Sequence, residues 1–502
     1  MRRFLRWKIS AMPAMPAMPA MPIRRTSKPV TVVMACFVMT AIASLTGCAV
    51  APAPHAALAA TVQSMAPKDW SVEASGSDSG DMALDAWWQV FGDATMHRLI
   101  ETVLTHNLNV QAALESVKQA EAIEVERGAI LLPEVDAQAH AADARQITPP
   151  PLGYVRQAGA GLSANWSPDV FGGERLSVLA AQAQVSGRRD LLDVVRLGLA
   201  ANTASAYIDL RWAQNTLQIE QDNMGTRRRT LLLIKERLRY GLSTQLDVAR
   251  AQNQLDSLLA KIPRTQSQIQ HQLTLIAVYS GQTPEDFNAT LLSRTAPIPA
   301  PAQALPETLP STALLRRPDV KAAYATVEQR AAEVGESEAQ RYPQFRLSLT
   351  DGLLAASWVG LPTLTDNLFS AALSATSPIF NAGRITAQIG QSQSKLTEAQ
   401  LGLRQAILQA LKEIEDTRSD VVTLSEQQLS LANALSASDQ AVQLSNRLYA
   451  RGASSFLDVL SAQDIALQDA LAVASARRDH ALATVALYRS LGGGWQKNQL
   501  DM

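Results

Sequence analysis

Two stretches of this chain, 175–240 and 384–451, contain no proline and run past sixty residues each. Proline removes a backbone donor and clashes inside a helix, so its absence over that length permits one continuous rod. As helix, each stretch would reach roughly 95–100 Å at about 1.5 Å per residue. A compact domain has no use for such a rod. The first ends in Gly241-Leu242-Ser243-Thr244-Gln245-Leu246-Asp247 and the second in Gly452-Ala453-Ser454-Ser455-Phe456-Leu457-Asp458. Glycine takes the left-handed cap conformation, and Thr244 to Asp247 has the form of a capping box that starts a returning helix. Something here has to span a distance.

Composition agrees. Aromatic residues make up 5% of the chain, and Ala, Leu, Gln and Ser dominate its second half, as in long helical bundles. Formal net charge is −1, but residues 1–47 hold seven basic residues and no acid, which leaves the remainder at −8. An acidic body argues against a nucleic-acid partner. The N-terminus reads as an export signal: Arg24, Arg25 and Lys28 precede an apolar run, 30–45, and then Leu45-Thr46-Gly47-Cys48. That tetrapeptide resembles the bacterial lipobox, which makes 1–47 a lipoprotein signal peptide, Cys48 the acylated first mature residue and 48–80 a lipid-anchored tether. A plain signal peptide, or a span with an incidental cysteine, is the alternative, although about sixteen residues is short for a span. By resemblance to lipoproteins, Ala49 after the cysteine implies sorting to the outer membrane. The Ala-Met-Pro repeat within residues 1–22 fits no signal pattern, and Met21 is a plausible start.

The chain also repeats itself. Setting Val110 against Val320 pairs Ala112 with Ala322, Val117 with Val327, Glu126 with Glu336 and Pro133 with Pro343, all at an offset of 210 residues. Ser377-Pro378-Ile379-Phe380 echoes the stretch from Ser167, and Gly241 to Val248 matches Gly452 to Val459 at an offset of 211. The first structural repeat, 81–281, is expected to hold helices, a strand pair over about 135–170, the long helix 175–240 and a return helix 244–281 that Pro263 should kink or break. A Pro-rich crossing, 282–310, leads to the second repeat, 311–495, with a strand pair over about 344–380, the long helix 384–451 and a return helix 455–491. A tail, 496–502, follows.

Four strands per chain cannot close a barrel, and an open sheet in lipid leaves its edges unsatisfied. Three chains give twelve strands, an even number within the known range. The expected fold is therefore mainly α with a small β part. A homotrimer would form a 12-stranded outer-membrane β-barrel, continued by a long periplasmic α-helical barrel.

The chain resembles the TolC-like outer-membrane efflux factors, in particular the NodT-type lipoproteins of resistance–nodulation–division pumps. The resemblance covers essentially 48–495 and is carried by Trp87-Trp88…Phe91-Gly92-Asp93, Leu314-Leu315-Arg316-Arg317-Pro318-Asp319-Val320, Leu487-Tyr488-Arg489-Ser490-Leu491-Gly492-Gly493-Gly494-Trp495 and the two Gly…Leu-Asp-Val turns. It implies a passive, trimeric exit duct for drugs or other small molecules, lipid-anchored in the outer membrane and reaching into the periplasm. Its partners would be a periplasmic adaptor and an inner-membrane pump of that class. It also implies adaptor docking at Tyr240, Gly241, Leu242, Ser243, Thr244, Leu246 and Asp247, and in the second copy at Gly452, Ser454, Ser455, Leu457 and Asp458. Leu435 and Asp439, four apart on one helix face, match a pair that lines the tunnel constriction in lipoprotein relatives; a core leucine and a solvated aspartate is the plainer reading.

Glu413, Glu415, Asp416 and Asp420 read as a solvated helix face rather than a tunnel lining, and Trp87 and Trp88 as packing anchors. The histidines show no metal spacing and no Gly-rich loop has phosphate-binding form, so no enzyme, cofactor or metal is expected. A structural envelope lipoprotein, a helical spacer without a pore, is the competing function.

Overall fold

A computed structural model describes residues 49–71, 86–146, 153–287, 292–301, 309–358 and 364–493. The expected signal segment, Cys48, part of the tether, parts of the Pro-rich crossing, Trp495 and the tail lie outside the described residues. In chain order the elements are α1 (Leu58–Met65), a 3-10 turn (Trp87–Phe91), α2 (Ala94–His106), α3 (Leu108–Ala129), β1 (Glu134–Gln146), β2 (Gly153–Trp166), α4 (Gly173–Arg239), α5 (Gln245–Leu259) and α6 (Ile262–Tyr279). Then follow α7 (Pro310–Arg316), α8 (Pro318–Ala339), β3 (Gln344–Trp358), β4 (Leu364–Thr376), α9 (Arg384–Ala450) and α10 (Phe456–Ser490).

The rods α4 and α9 are 67 residues each. Both end on a glycine with positive φ, Gly241 at 73° and Gly452 at 74°. Both capping boxes form: Asp247 N donates to Thr244 Oγ1 at 3.2 Å while Thr244 N donates to Asp247 Oδ2 at 3.0 Å, and Ser455 and Asp458 repeat the exchange. The first return is broken rather than kinked. α5 stops at Leu259 and Pro263 lies in the first turn of α6, where a missing backbone N–H leaves no intrahelical bond unmade. The second return, α10, has no proline and runs unbroken for 35 residues.

The four strands form one antiparallel sheet in the order β1-β2-β3-β4, so the seam β2–β3 joins the two repeats and β1 and β4 are its edges. The strands stop at Trp166 and Thr376, short of the expected 170 and 380, because the Ser-Pro pairs that follow cannot continue a ladder. The sheet has two chemistries. Val135, Ala137, Ala139, Leu162, Ala164, Leu349, Leu353, Phe369 and Leu373 share one face, with Asp351 and Asn367 among them, while Asp136, Gln138, His140, Ser163, Thr350, Ser370 and Ser374 share the other with Leu354 and Leu368. Gly161 opposes Gly352 on the polar face, and a Cβ on Gly161 would lie 2.6 Å from the Asp351 carbonyl oxygen. Paired glycines let the backbones approach so closely and leave room for the sheet to bend towards its polar side, as a barrel wall must.

Burial divides the rods. α4 has 25 buried residues and α9 only ten. Those of α9 include Leu396, Leu403, Ile407, Ala410, Ile414 and Val421, spaced as one coiled-coil seam. The rest of α9 is open in the single chain. Among the described residues no helix is long and apolar enough to cross a membrane.

Residues 50–71 are laid onto the fold. Val50 N donates to Phe171 O at 2.9 Å and Ala53 N to Ala331 O at 3.0 Å. Val62 of α1 is fully buried in a cluster with Leu314, Val320, Leu403 and Ile407. Ser71 donates from its N and Oγ to the Glu415 carboxylate.

Gly161→Ala should deplete the protein from the outer-membrane fraction, because the added methyl has nowhere to go. Gly198→Ala, where a Cβ meets nothing within 4 Å, should leave the level unchanged or raised, since alanine favours a helix over glycine by about 1 kcal/mol. Equal levels for both variants, measured by fractionation and blotting, would remove the curvature argument.

Candidate functional site

The rod ends carry the residues expected to meet a partner. Tyr240, Leu242 and Leu246 are exposed by 73%, 66% and 57%, and Leu457 by 53%. These large apolar groups are held in water on a capped turn and take no part in the packing beneath it. Gly241, Thr244, Gly452 and Ser455 are also exposed, whereas Ser243, Ser454 and Asp247 are half-buried or sit inside the turn. Ser243 Oγ joins Thr244 in donating to Asp247 Oδ2. Burial pushes the Asp247 carboxyl up, but these bonds over-compensate and hold it below its ordinary value. Asp247 and Asp458 therefore serve the turn.

Beneath the tips Leu231, Ile234, Ala251, Leu255, Phe456, Val459 and Leu460 form a separate small core. Phe456 is 5% exposed, whereas Gln245, at the matching place in the first copy, is exposed. The second tip thus turns its aromatic inward where the first keeps an amide at the surface, and the tip surfaces differ further through Tyr240 and Arg451. Just above, buried Arg227 of α4 donates to Asp464 Oδ1 of α10 at 2.5 Å, and Gln254 of α5 donates to Asp464 Oδ2 at 2.7 Å. This links the two hairpins. Arg227 belongs to the triplet Arg227-Arg228-Arg229, and nothing in that string marks one member as buried.

Leu435 and Asp439 lie on α9, the first half-buried and the second exposed. Their helix carries no buried residue between Val421 and Ser438. Leu435 lies two heptads beyond Val421, in phase with the seam and beside Ser438, whereas Asp439 faces the part of the rod that this chain leaves uncovered.

The acidic cluster expected to be solvated is largely paired. Arg317 donates to both oxygens of Asp319 at 3.1 and 2.8 Å, to Glu413 Oε2 at 2.8 Å and to Ser490 O at 2.7 Å. Arg489 donates to Glu413 Oε1 at 2.8 Å. The Arg317-Pro318-Asp319 and Tyr488-Arg489-Ser490 strings thus close on one carboxylate midway along α9. Burial raises the Glu413 pKa, but the two guanidiniums outweigh it and hold the carboxyl below its ordinary 4.5. Asp416 pairs with Lys412, and Asp420 is exposed.

Trp87 and Trp88 anchor the first repeat. Trp87 is fully buried and stacks on Tyr488 at 5.9 Å, and Trp88 Nε1 donates to His97 Nδ1 at 2.7 Å. Asp93 Oδ1 caps α2 through Thr95 N and Met96 N, and its Oδ2 accepts from Tyr207 Oη at 2.7 Å. Burial first, then this carboxylate, pushes the Tyr207 pKa up to about 12, so the phenol stays a donor. Buried Arg211 donates to Gln214, Leu292 O and Arg294 O and lies 4.8 Å over the Tyr207 ring. Among the described residues no cluster of His, Cys, Asp and Glu is placed to hold a metal ion.

Arg317→Met should lower stability by roughly 3 kcal/mol, the order expected when one partner of a buried ion cluster is removed. Arg489→Met, at a half-exposed site, should cost far less; equal melting shifts by circular dichroism would contradict this. A depressed carboxylate contributes stability above its unfolded pKa and loses it as pH falls through the folded value. Glu413→Gln should therefore be less stable than the parent at neutral pH, and the gap should close below pH 4.5.

The outer membrane efflux protein model matches residues 99–282 and 309–493, two segments whose starts are 210 and ends 211 residues apart. The pyoverdine export outer membrane protein OpmQ of Pseudomonas aeruginosa is 28% identical over 488 residues, 94% of this chain and 98% of that one. Nodulation protein T of Rhizobium leguminosarum bv. viciae is 28% identical over 431 residues, 84% of this chain and 87% of that one. The solved outer-membrane channel OprN superposes with a TM-score of 0.80 at 27% identity, over 88% of this chain and 99% of that one.

Proposed function

The chain belongs to the outer membrane efflux protein family, the channel components of tripartite efflux systems, and from that premise we propose how this chain makes its duct. Three copies close a twelve-stranded barrel in the outer membrane, and their rods form a tunnel that crosses the periplasm. The sheet carries this reading. Its strands of 13–15 residues exceed the 9–11 or so that a bilayer needs. One face is mainly apolar and the other mainly polar, a glycine pair leaves it room to bend towards the polar side, and both edges are open to further strands.

The duct is passive: it admits drugs or other small molecules, and the work is done by an inner-membrane pump coupled through a periplasmic adaptor. The adaptor meets the exposed apolar residues of the tips, Tyr240, Leu242, Leu246 and Leu457, while the aspartates keep the turns in shape. Cys48 carries the lipid. What supports this is the lipobox-like string before it and the placement of Val50, two residues on, against Phe171 at the foot of β2.

Leu435 and Asp439 narrow the tunnel. On the three-copy reading the uncovered face of α9 turns to the axis, where three Asp439 carboxylates repel one another and draw in cations. Leu435→Ala combined with Asp439→Ala should raise single-channel conductance in planar bilayers and admit large antibiotics into cells. Parental conductance in the double variant would overturn the gate assignment, and a purified parent trimer that never conducts would overturn the duct. Leu242→Glu should weaken adaptor capture in a pull-down without lowering the amount of trimer.

A further inference from the structure

The three-copy reading leaves open how β4 of one protomer meets β1 of the next, and the seam inside each chain supplies a template. Glu134 and Gln344 open β1 and β3, 210 residues apart; their hairpin partners are Asn165, one short of the end of β2, and Thr376, the last residue of β4, 211 apart. Paired from these open ends, the two hairpins are counterparts. Within the chain, hairpin one offers β2 to β3 of hairpin two, with Gly161 opposite Gly352, Ser163 opposite Thr350 and Asn165 opposite Ser348.

We infer that β4 pairs with β1 of the neighbouring copy in the register of that internal seam, so that Ala372 opposes Ala142, Ser374 opposes His140 and Thr376 opposes Gln138. This rests on the three-copy reading and adds a register to it. Three observations carry it. The transferred register sets apolar against apolar, Leu373 with Ala141 and Ala375 with Ala139, on the face that holds Leu162 and Leu349. A slip of one residue would turn every apolar side chain to the polar face. Second, the place taken by the close Gly161–Gly352 contact falls on Ala142–Ala372, a pair of the smallest side chains after glycine, so the wall can bend again at the same height.

The third observation lies at the foot of the sheet. Phe171, in the turn between β2 and α4, stacks on Tyr342 at 4.8 Å and on Phe345 at 6.5 Å, the residues that lead into β3. The matching turn of the second copy holds Ile379 and Phe380, which are 93% and 89% exposed. The residues 210 before Tyr342 and Phe345 are Leu132 and Val135, exposed by 67% and 65%. Each copy thus shows one half of an apolar contact whose complete form is buried inside the chain. The occupant of each is the other half on a second copy.

The test is disulfide trapping in the full-length protein. Directly opposed residues of antiparallel strands have Cβ atoms about 4.5–5.5 Å apart, and a shift of two residues takes them beyond the reach of a disulfide. Ala142→Cys with Ala372→Cys, oxidised in isolated outer membranes, should convert monomer on non-reducing gels into linked dimer and trimer. Each single variant, and Ala142→Cys with Ser370→Cys or with Ser374→Cys, should stay monomeric. Linking of a slipped pair would overturn the register. No linking in any pair, while chemical cross-linking of the same membranes still gives trimer, would also overturn the register and leave the three-copy reading standing. Monomer by both methods would overturn the two together.

Discussion

Every strand in this chain owes its value to the backbone groups it leaves unpaired. β1 and β4 each present a row of N–H and C=O groups along an open edge, and in hydrocarbon each such group costs several kcal/mol. A sheet of four cannot answer that demand by itself, and lengthening it would not help. Closure with other copies answers it completely. The apolar and polar faces, the glycine pair that lets the wall bend and the exposed Ile379 and Phe380 are features that a water-soluble four-stranded sheet has no need of.

The repeat was legible in the sequence because duplication preserves spacing, and an offset of 210 or 211 residues held from α3 to the rod ends. The strands themselves were faint. β1 reads Glu-Val-Asp-Ala-Gln-Ala-His-Ala-Ala-Asp-Ala-Arg-Gln, and alanine contrasts too little with its neighbours for alternation to stand out; position before the Gly-rich turn and the rod decided it. The caps were fully legible, since a capping box is local and its geometry follows from three residues. Phe456 was not. Whether a helix-start aromatic turns inward depends on the facing Leu231 and Ile234, more than two hundred residues away in the chain.

The same limit explains the ion clusters. Arg317 and Glu413 are 96 residues apart and Arg489 and Glu413 are 76 apart, so the sequence showed two conspicuous strings and an acidic patch without their common purpose. The strings meet where α7, α8, α9 and the end of α10 pass one another. Such a cluster adds little net stability over apolar packing, but each rod is smooth enough to slide against its neighbour. A guanidinium with three acceptors at fixed places allows one axial position only. On this reading Arg317 fixes the height of α9 against the end of α10, and near the tips Arg227 fixes the first hairpin against the second, which a seam of Leu and Ile repeats alone leaves degenerate.

The two halves share a fold but not a burial pattern, and this inequality is what a duplicated chain gains over a simple hexamer of single hairpins. α4 is enclosed by α3, α5, α6, α8 and α10, whereas α9 keeps one narrow seam and leaves the rest of its surface uncovered. One rod is thus free to specialise as structure and the other to face a lumen or a neighbouring copy, without either role constraining the other's side chains. The rod ends inherit the inequality. Phe456 fills the tip core where Gln245 stays in water, and Tyr240 against Arg451 stays at the surface, an aromatic ring in one copy and a cation in the other. A partner that grips three copies from below therefore meets two kinds of groove in alternation, and a single docking chemistry cannot fill all six.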